Sequence, residues 1–80
     1  MKLKDFIKTI RSEEERVAFA RKCGTSFGYL KMVSYGVKPC GPKLAVSIER
    51  ESGAFVTRPE LRDDWQDIWP ELLGTERKAA

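Results

Sequence analysis

The sequence predicts an all-α fold, a compact bundle of about five short helices. Three observations lead there. Apolar residues recur at helical spacing, as in Leu3, Phe6, Ile7 and Ile10, which fall at i, i+3, i+4 and i+7. Helix-start signals precede such runs, Ser12 with Glu15 and Thr57 with Glu60. Glycines follow them, at positions 24, 36 and 53, where a helix ends most cheaply on a residue without a Cβ. Val56 is the one hint of a strand.

Each element has its own justification. The first helix runs from about Lys2 to Ile10 on the apolar spacing just given. Ser12 and Glu15 open the second, whose apolar positions are Val17, Phe19, Ala20 and Cys23, and Gly24 stops it. Thr25 or Ser26 caps a third helix from about Phe27 to Tyr35, with Leu30 and Val33 turned inward and Gly36 at its end. The stretch VKPCGP reads as a loop. Pro42 suits the first turn of a fourth helix, whose apolar face is Leu44, Ala45 and Ile48 and which Gly53 closes. TRPE, residues 57–60, starts a short fifth helix over Pro59 to Leu61. Asp64 caps a last turn or two carrying Trp65, Ile68 and Trp69 before Pro70. Residues 1–73 form one domain, and the apolar-poor tail over 74–80 is expected to fray.

Composition narrows the function. No apolar run approaches the roughly 18 residues of a membrane span, and no secretory leader is visible, so a cytoplasmic location with no membrane partner is expected. Residues 1–43 hold ten Lys/Arg against four Asp/Glu, and residues 44–80 hold five against eight. A basic first half and an acidic second half suit a molecule that meets a polyanion with one side only. There is no histidine, so Cys23 and Cys40, the only cysteines, cannot complete a four-ligand zinc site or find an imidazole base. Both thiols are expected to be free, Cys23 packed and Cys40 solvent-accessible in its loop. No enzyme, cofactor, metal or small-molecule substrate is expected.

Helices two and three, joined by a three-residue turn around a glycine, make a helix-turn-helix. Ala20 must be small where the helices cross, and Leu30 and Val33 must lock the crossing. The other face of helix three then projects freely with Ser26, Phe27, Gly28, Lys31, Met32 and Tyr35. Such a helix fits the major groove of double-stranded DNA. Lys31 is expected to meet guanine or a phosphate. Phe27 presses on a thymine methyl or folds back over Leu30, Tyr35 donates to a phosphate or packs at the helix end, and Met32 fills core space before a groove contact. Thr25 and Ser26 combine capping with donation to phosphate or base, and Lys38 and Lys43 touch the backbone from the following loop. Arg11 and Lys22 are either further phosphate partners or solvated. Trp65 and Trp69 serve core or dimer packing, and Asp63, Asp64 and Asp67 form an acidic turn.

On these residues, Arg16 to Tyr35 resembles the helix-turn-helix of the lambda Cro and repressor class, with Ala20, Gly24, Leu30 and Val33 at that class's packing positions. The following LAVSIERESGAFVTRPELRDDWQDIWPEL is similar to the tail of the YdaS-type, Cro-like antitoxin family, which runs an IE…TG…VTR…LRP pattern after its recognition helix. The likeness spans roughly residues 4–73. It implies a lambda-repressor-like fold and a phage or prophage transcriptional regulator, often of Cro type, that acts as a repressor. The alternative is an antitoxin-like module whose acidic C-terminal half binds a protein partner. Two positions depart from the pattern: Thr25 stands where a branched apolar residue is usual, and Ser26-Phe27 where Ser-Gln is usual. A glutamine there often reads adenine, so the operator sequence does not carry over. One helix-turn-helix reads few base pairs, so two copies are expected to pair, in solution or only on DNA.

Overall fold

A computed structural model describes residues 1–72 and is all-helical, with six helices and no strand among those residues. They are α1 (Leu3–Thr9), α2 (Glu13–Lys22), α3 (Phe27–Ser34), α4 (Pro42–Glu51), α5 (Arg58–Leu61) and α6 (Trp65–Ile68). The sixth is the turn expected after Asp64. The expected tail, and Leu73 before it, lie outside the described residues.

Local chemistry sets the boundaries. The Ser12 hydroxyl accepts from the Glu15 amide at 3.1 Å and starts α2. Of the two cap candidates before α3 it is Ser26 that serves, accepting from the Tyr29 amide at 3.1 Å. The Thr57–Glu60 capping box forms, and the Glu60 carboxylate accepts from the Thr57 amide at 3.1 Å. At the end of α2 the Thr25 amide bonds back to the Ala20 carbonyl and the Gly24 amide to the Arg21 carbonyl, both at 3.0 Å. That pair of bonds is the Schellman closure, and it holds Gly24 at φ +82°. The ends of α3 at Gly36 and of α4 at Gly53 repeat it.

The core gathers Leu3, Phe19, Ala20, Cys23, Leu30, Ala45, Ile48 and Val56, together with Cys40 and Trp69. α1 packs on α3, α2 on α3 and α4, and α5 joins α4 to α6. Phe6 tilts against Phe19 with ring centroids 5.2 Å apart. Ser52 is the one polar residue buried with this set among the described residues, and it is satisfied: its hydroxyl donates to the Glu49 carbonyl at 3.2 Å and accepts from the Val56 amide at 3.1 Å.

Several expectations need correction. Val17 does not belong to the buried face of α2 and is 40% exposed. That face centres on Phe19, Ala20 and Cys23, and at about 100° per residue Val17 lies roughly a third of a turn from its centre. Cys40 is buried, not solvent-accessible. The side chain packs into the core cluster, and the Arg62 guanidinium reaches across from the end of α5 to the Cys40 carbonyl at 2.6 Å, tying the loop to α5. Asp64 stands before α6 but does not cap it with its side chain, which pairs instead with Arg62 through two bonds of 2.9 and 2.8 Å. Val56 is fully buried in a bend between α4 and α5, not in a strand. Met32 is exposed, not core.

The aromatic stripe of the C-terminal half joins this core. Trp69 is buried, and Trp65, Ile68 and Leu72 pack against the cluster. The Arg58 guanidinium lies 5.1 Å from the centroid of the Trp69 ring. The same guanidinium pairs with Glu49 at 3.0 Å, and the Arg58 amide donates to the other Glu49 oxygen at 2.9 Å. Its Nε meets Glu49 as an ion pair without hydrogen-bond alignment. Glu49 on α4, Arg58 on α5 and Trp69 after α6 thus tie α5 and the end of α6 to α4.

Candidate nucleic-acid interface

The geometry starts at Leu30, which is fully buried and fixes the roll of α3 on the core. At 3.6 residues per turn, burying Leu30 and half-burying Val33 puts Gly28, Lys31, Met32 and Tyr35 on the opposite side, at i, i+3, i+4 and i+7. All four are exposed, Met32 by 45% and Tyr35 by 56%. This ridge is the outermost line of the helix. Both of its ends are tied down. The Ser26 hydroxyl caps the start, and beyond the other end the Tyr29 hydroxyl donates to the Pro39 carbonyl at 2.8 Å, pinning the following loop to α3.

The expected site residues divide among four places. Gly28, Lys31, Met32 and Tyr35 stand together on the ridge. Ser26 is exposed at its head, with its oxygen already engaged as the cap. Phe27 is half-buried, packs against the core and lines a cleft on one shoulder of α3, so it stands aside from the ridge. On the other shoulder Thr25 and Lys43 line a second cleft, at the start of α4. Lys38 is exposed in the loop, and its amide reaches back toward the Met32 carbonyl at 3.4 Å.

The cleft beside Phe27 was not foreseen. It has a volume of about 410 Å³ and lies between α1, the start of α2 and α3. Lys4 and Lys8 enter it from α1, Arg16 from α2 and Lys31 from α3, while Phe27 and Tyr35 form aromatic walls. The Lys4 ammonium lies 5.4 Å from the centroid of the Tyr35 ring. Arg16 is oriented by a 2.8 Å bond from its Nε to the Ile10 carbonyl. Sequence reasoning named Arg11 and Lys22 as outlying phosphate partners and passed over Lys4, Lys8 and Arg16. The i, i+4 spacing of Lys4 and Lys8, just beside the apolar face of α1, is the signal that pointed to them.

The thiols stand apart from this surface. Burial pushes the Cys23 thiol up to about 11, and the Glu51 carboxylate adds to the rise. Burial likewise raises Cys40, with Arg62 opposing. Both are free thiols, protonated at neutral pH. Among the described residues no cluster of three or more His, Cys, Asp or Glu is placed to hold a metal ion, and no helix is long and apolar enough to cross a membrane.

Compared with known proteins, the chain matches no family model and no curated protein.

Proposed function

We propose that this protein is a sequence-specific DNA-binding transcriptional regulator, a repressor of the phage or prophage Cro type, that lays α3 in the major groove of double-stranded DNA. The observation that carries the reading is the ridge of Gly28, Lys31, Met32 and Tyr35. It is exposed, rigidly backed by Leu30, and edged on both shoulders by cationic side chains. A major groove is bordered by two phosphate ridges, and a helix that enters it needs cations on both sides. The likeness of Arg16–Tyr35 to the lambda Cro and repressor class supports the same reading. Lys31 is the ridge's hydrogen-bond donor toward base edges, Tyr35 offers a hydroxyl, and Met32 offers an apolar surface to a thymine methyl.

Two copies pair on the duplex, with recognition helices about 34 Å apart over a pseudo-palindrome. The packing of Trp65, Ile68, Trp69 and Leu72 on each chain's own core favours another face for the pairing. The reading places the protein in the cytoplasm, with both thiols reduced.

Selection of bound duplexes from a random library tests the proposal. A recurrent motif is expected, with binding that weakens steeply as salt rises, because each Lys– or Arg–phosphate contact releases a counterion. Recovery of no motif together with salt-insensitive binding to a protein partner would favour the antitoxin-like alternative.

A further inference from the structure

Lys4 and Lys8 lie outside the helix-turn-helix, yet α1 brings them to the shoulder of α3. In the cleft they share with Arg16 and Lys31, four cations face a single carboxylate, Glu13. Among the described residues none of the four forms an ion pair. Like charges gathered this closely repel one another, and an anion relieves the repulsion. The donors suit one tetrahedral phosphate. The Arg16 Nε is committed to the Ile10 carbonyl, which orients the guanidinium and leaves its Nη groups to donate side by side to two anionic oxygens. The lysines supply mobile point charges around that fork.

The position of the cleft identifies the source of the phosphate. Lys31 and Tyr35 belong both to the outer ridge of α3 and to the cleft wall. Anything lying along the ridge therefore borders the cleft. A helix seated in a major groove has sugar–phosphate backbone at its shoulder, in this same place.

We propose that the cleft formed by Lys4, Lys8, Arg16 and Lys31 seats a backbone phosphate of the duplex that α3 reads, making α1 a second DNA-contacting element. The inference rests on the DNA-binding function proposed above. The phosphate sets register and contributes affinity that is blind to sequence, while the ridge supplies discrimination.

The test is the double substitution Lys4→Gln and Lys8→Gln, with Lys8→Gln alone as the variant that leaves the Lys4–Tyr35 contact in place. Binding is measured on the selected duplex and on random duplex across a salt series. Both variants should weaken the two duplexes by the same factor, roughly tenfold for the double variant near 0.1 M salt, and the slope of log K against log salt should shrink by about 0.9 for the phosphate lost. Circular dichroism should show an unchanged fold, since both lysines are exposed. A wild-type slope in the variants would overturn the inference and leave DNA binding standing. Loss confined to the selected duplex would overturn it too, by assigning the lysines to base contacts. If the unaltered protein binds no duplex, the DNA reading itself fails, and an inorganic phosphate titration that shifts the Arg16 side-chain resonance would then mark a site for a free anion, against a backbone phosphate.

Discussion

Gly28 poses a question at the scale of a single residue. It occupies the first turn of an eight-residue helix, where glycine is a poor helix former, and nothing in the fold requires it. A Cβ at this position would meet only the Ser26 hydroxyl oxygen, 4.0 Å away, and its φ is not in the left-handed region. The missing side chain leaves clearance on the ridge instead. Gly28→Ala should therefore stabilise the fold by about 0.5–1 kcal/mol, read as a higher melting temperature, while lowering affinity for the selected duplex. Unchanged affinity would show that the α3 backbone does not come close to DNA at this point. Lys31 gives the complementary case. Lys31→Ala should cost about 1–3 kcal/mol on the preferred duplex if the ammonium reads a base, measured by titration against single-base variants of the site. An equal loss on every duplex would assign it to the backbone, and no loss would remove it from the interface. Residue identity on the ridge was legible in the sequence because Leu30 and Val33, within the helix itself, fix the roll of α3. Phe27 was not resolved that way: it lies at the border between ridge and core, and its half-burial depends on α1 and α2 packing beside it.

At the scale of elements, the turn between α2 and α3 is the hinge on which the candidate site depends. It was readable because its chemistry is local: the glycine, the cap three residues before the amide it satisfies, and the small Ala20 at the crossing all lie within a few residues of one another. A side chain at position 24 would find no heavy atom within 4 Å of its Cβ, so a substitution there meets no steric neighbour and its cost is purely conformational. At φ +82° a β-branched residue is strained by at least about 1–2 kcal/mol. Gly24→Val should lower the melting temperature by several degrees, since about 1 kcal/mol corresponds to roughly 4–8 °C in a domain of this size. Gly24→Asn, which tolerates the left-handed region, should cost less. Equal melting temperatures for all three proteins would mean that the turn is free to adopt another closure. Elements held by distant partners were harder to read. Cys40 is buried in a cluster drawn from distant elements and its carbonyl is held by Arg62, 22 residues away, and no pattern around Pro39 or Gly41 announces those contacts. The basic cleft depends in the same way on α1 meeting α3 across the molecule.

At the scale of the whole molecule, the charge asymmetry of the sequence becomes a division of labour. The basic half presents α3 and its cationic shoulders. In the acidic half, carboxylates hold the chain to itself: Glu49 on Arg58, Glu60 on the α5 cap, Asp64 on Arg62. Two of these leave a signature in acid. The hydrogen bond from Arg62 holds the Asp64 carboxyl below its ordinary range. At Glu60 desolvation acts to raise the value, but the bonds from the N-terminal ammonium and from Thr57 outweigh it and hold the carboxyl low. A carboxyl whose pKa is lower folded than unfolded binds protons more readily in the unfolded chain. Its contribution is complete above the unfolded value of about 4 and disappears as pH falls through the lower folded value. The melting temperature should therefore hold between pH 7 and 5 with respect to these two groups and fall as pH drops below about 4. Asp64→Asn should make that fall shallower, because the side chain that gains a proton on unfolding is gone. Circular dichroism melts across the pH series measure both proteins. An acid limb equally steep with and without Asp64 would show that its pairing with Arg62 contributes nothing to folding.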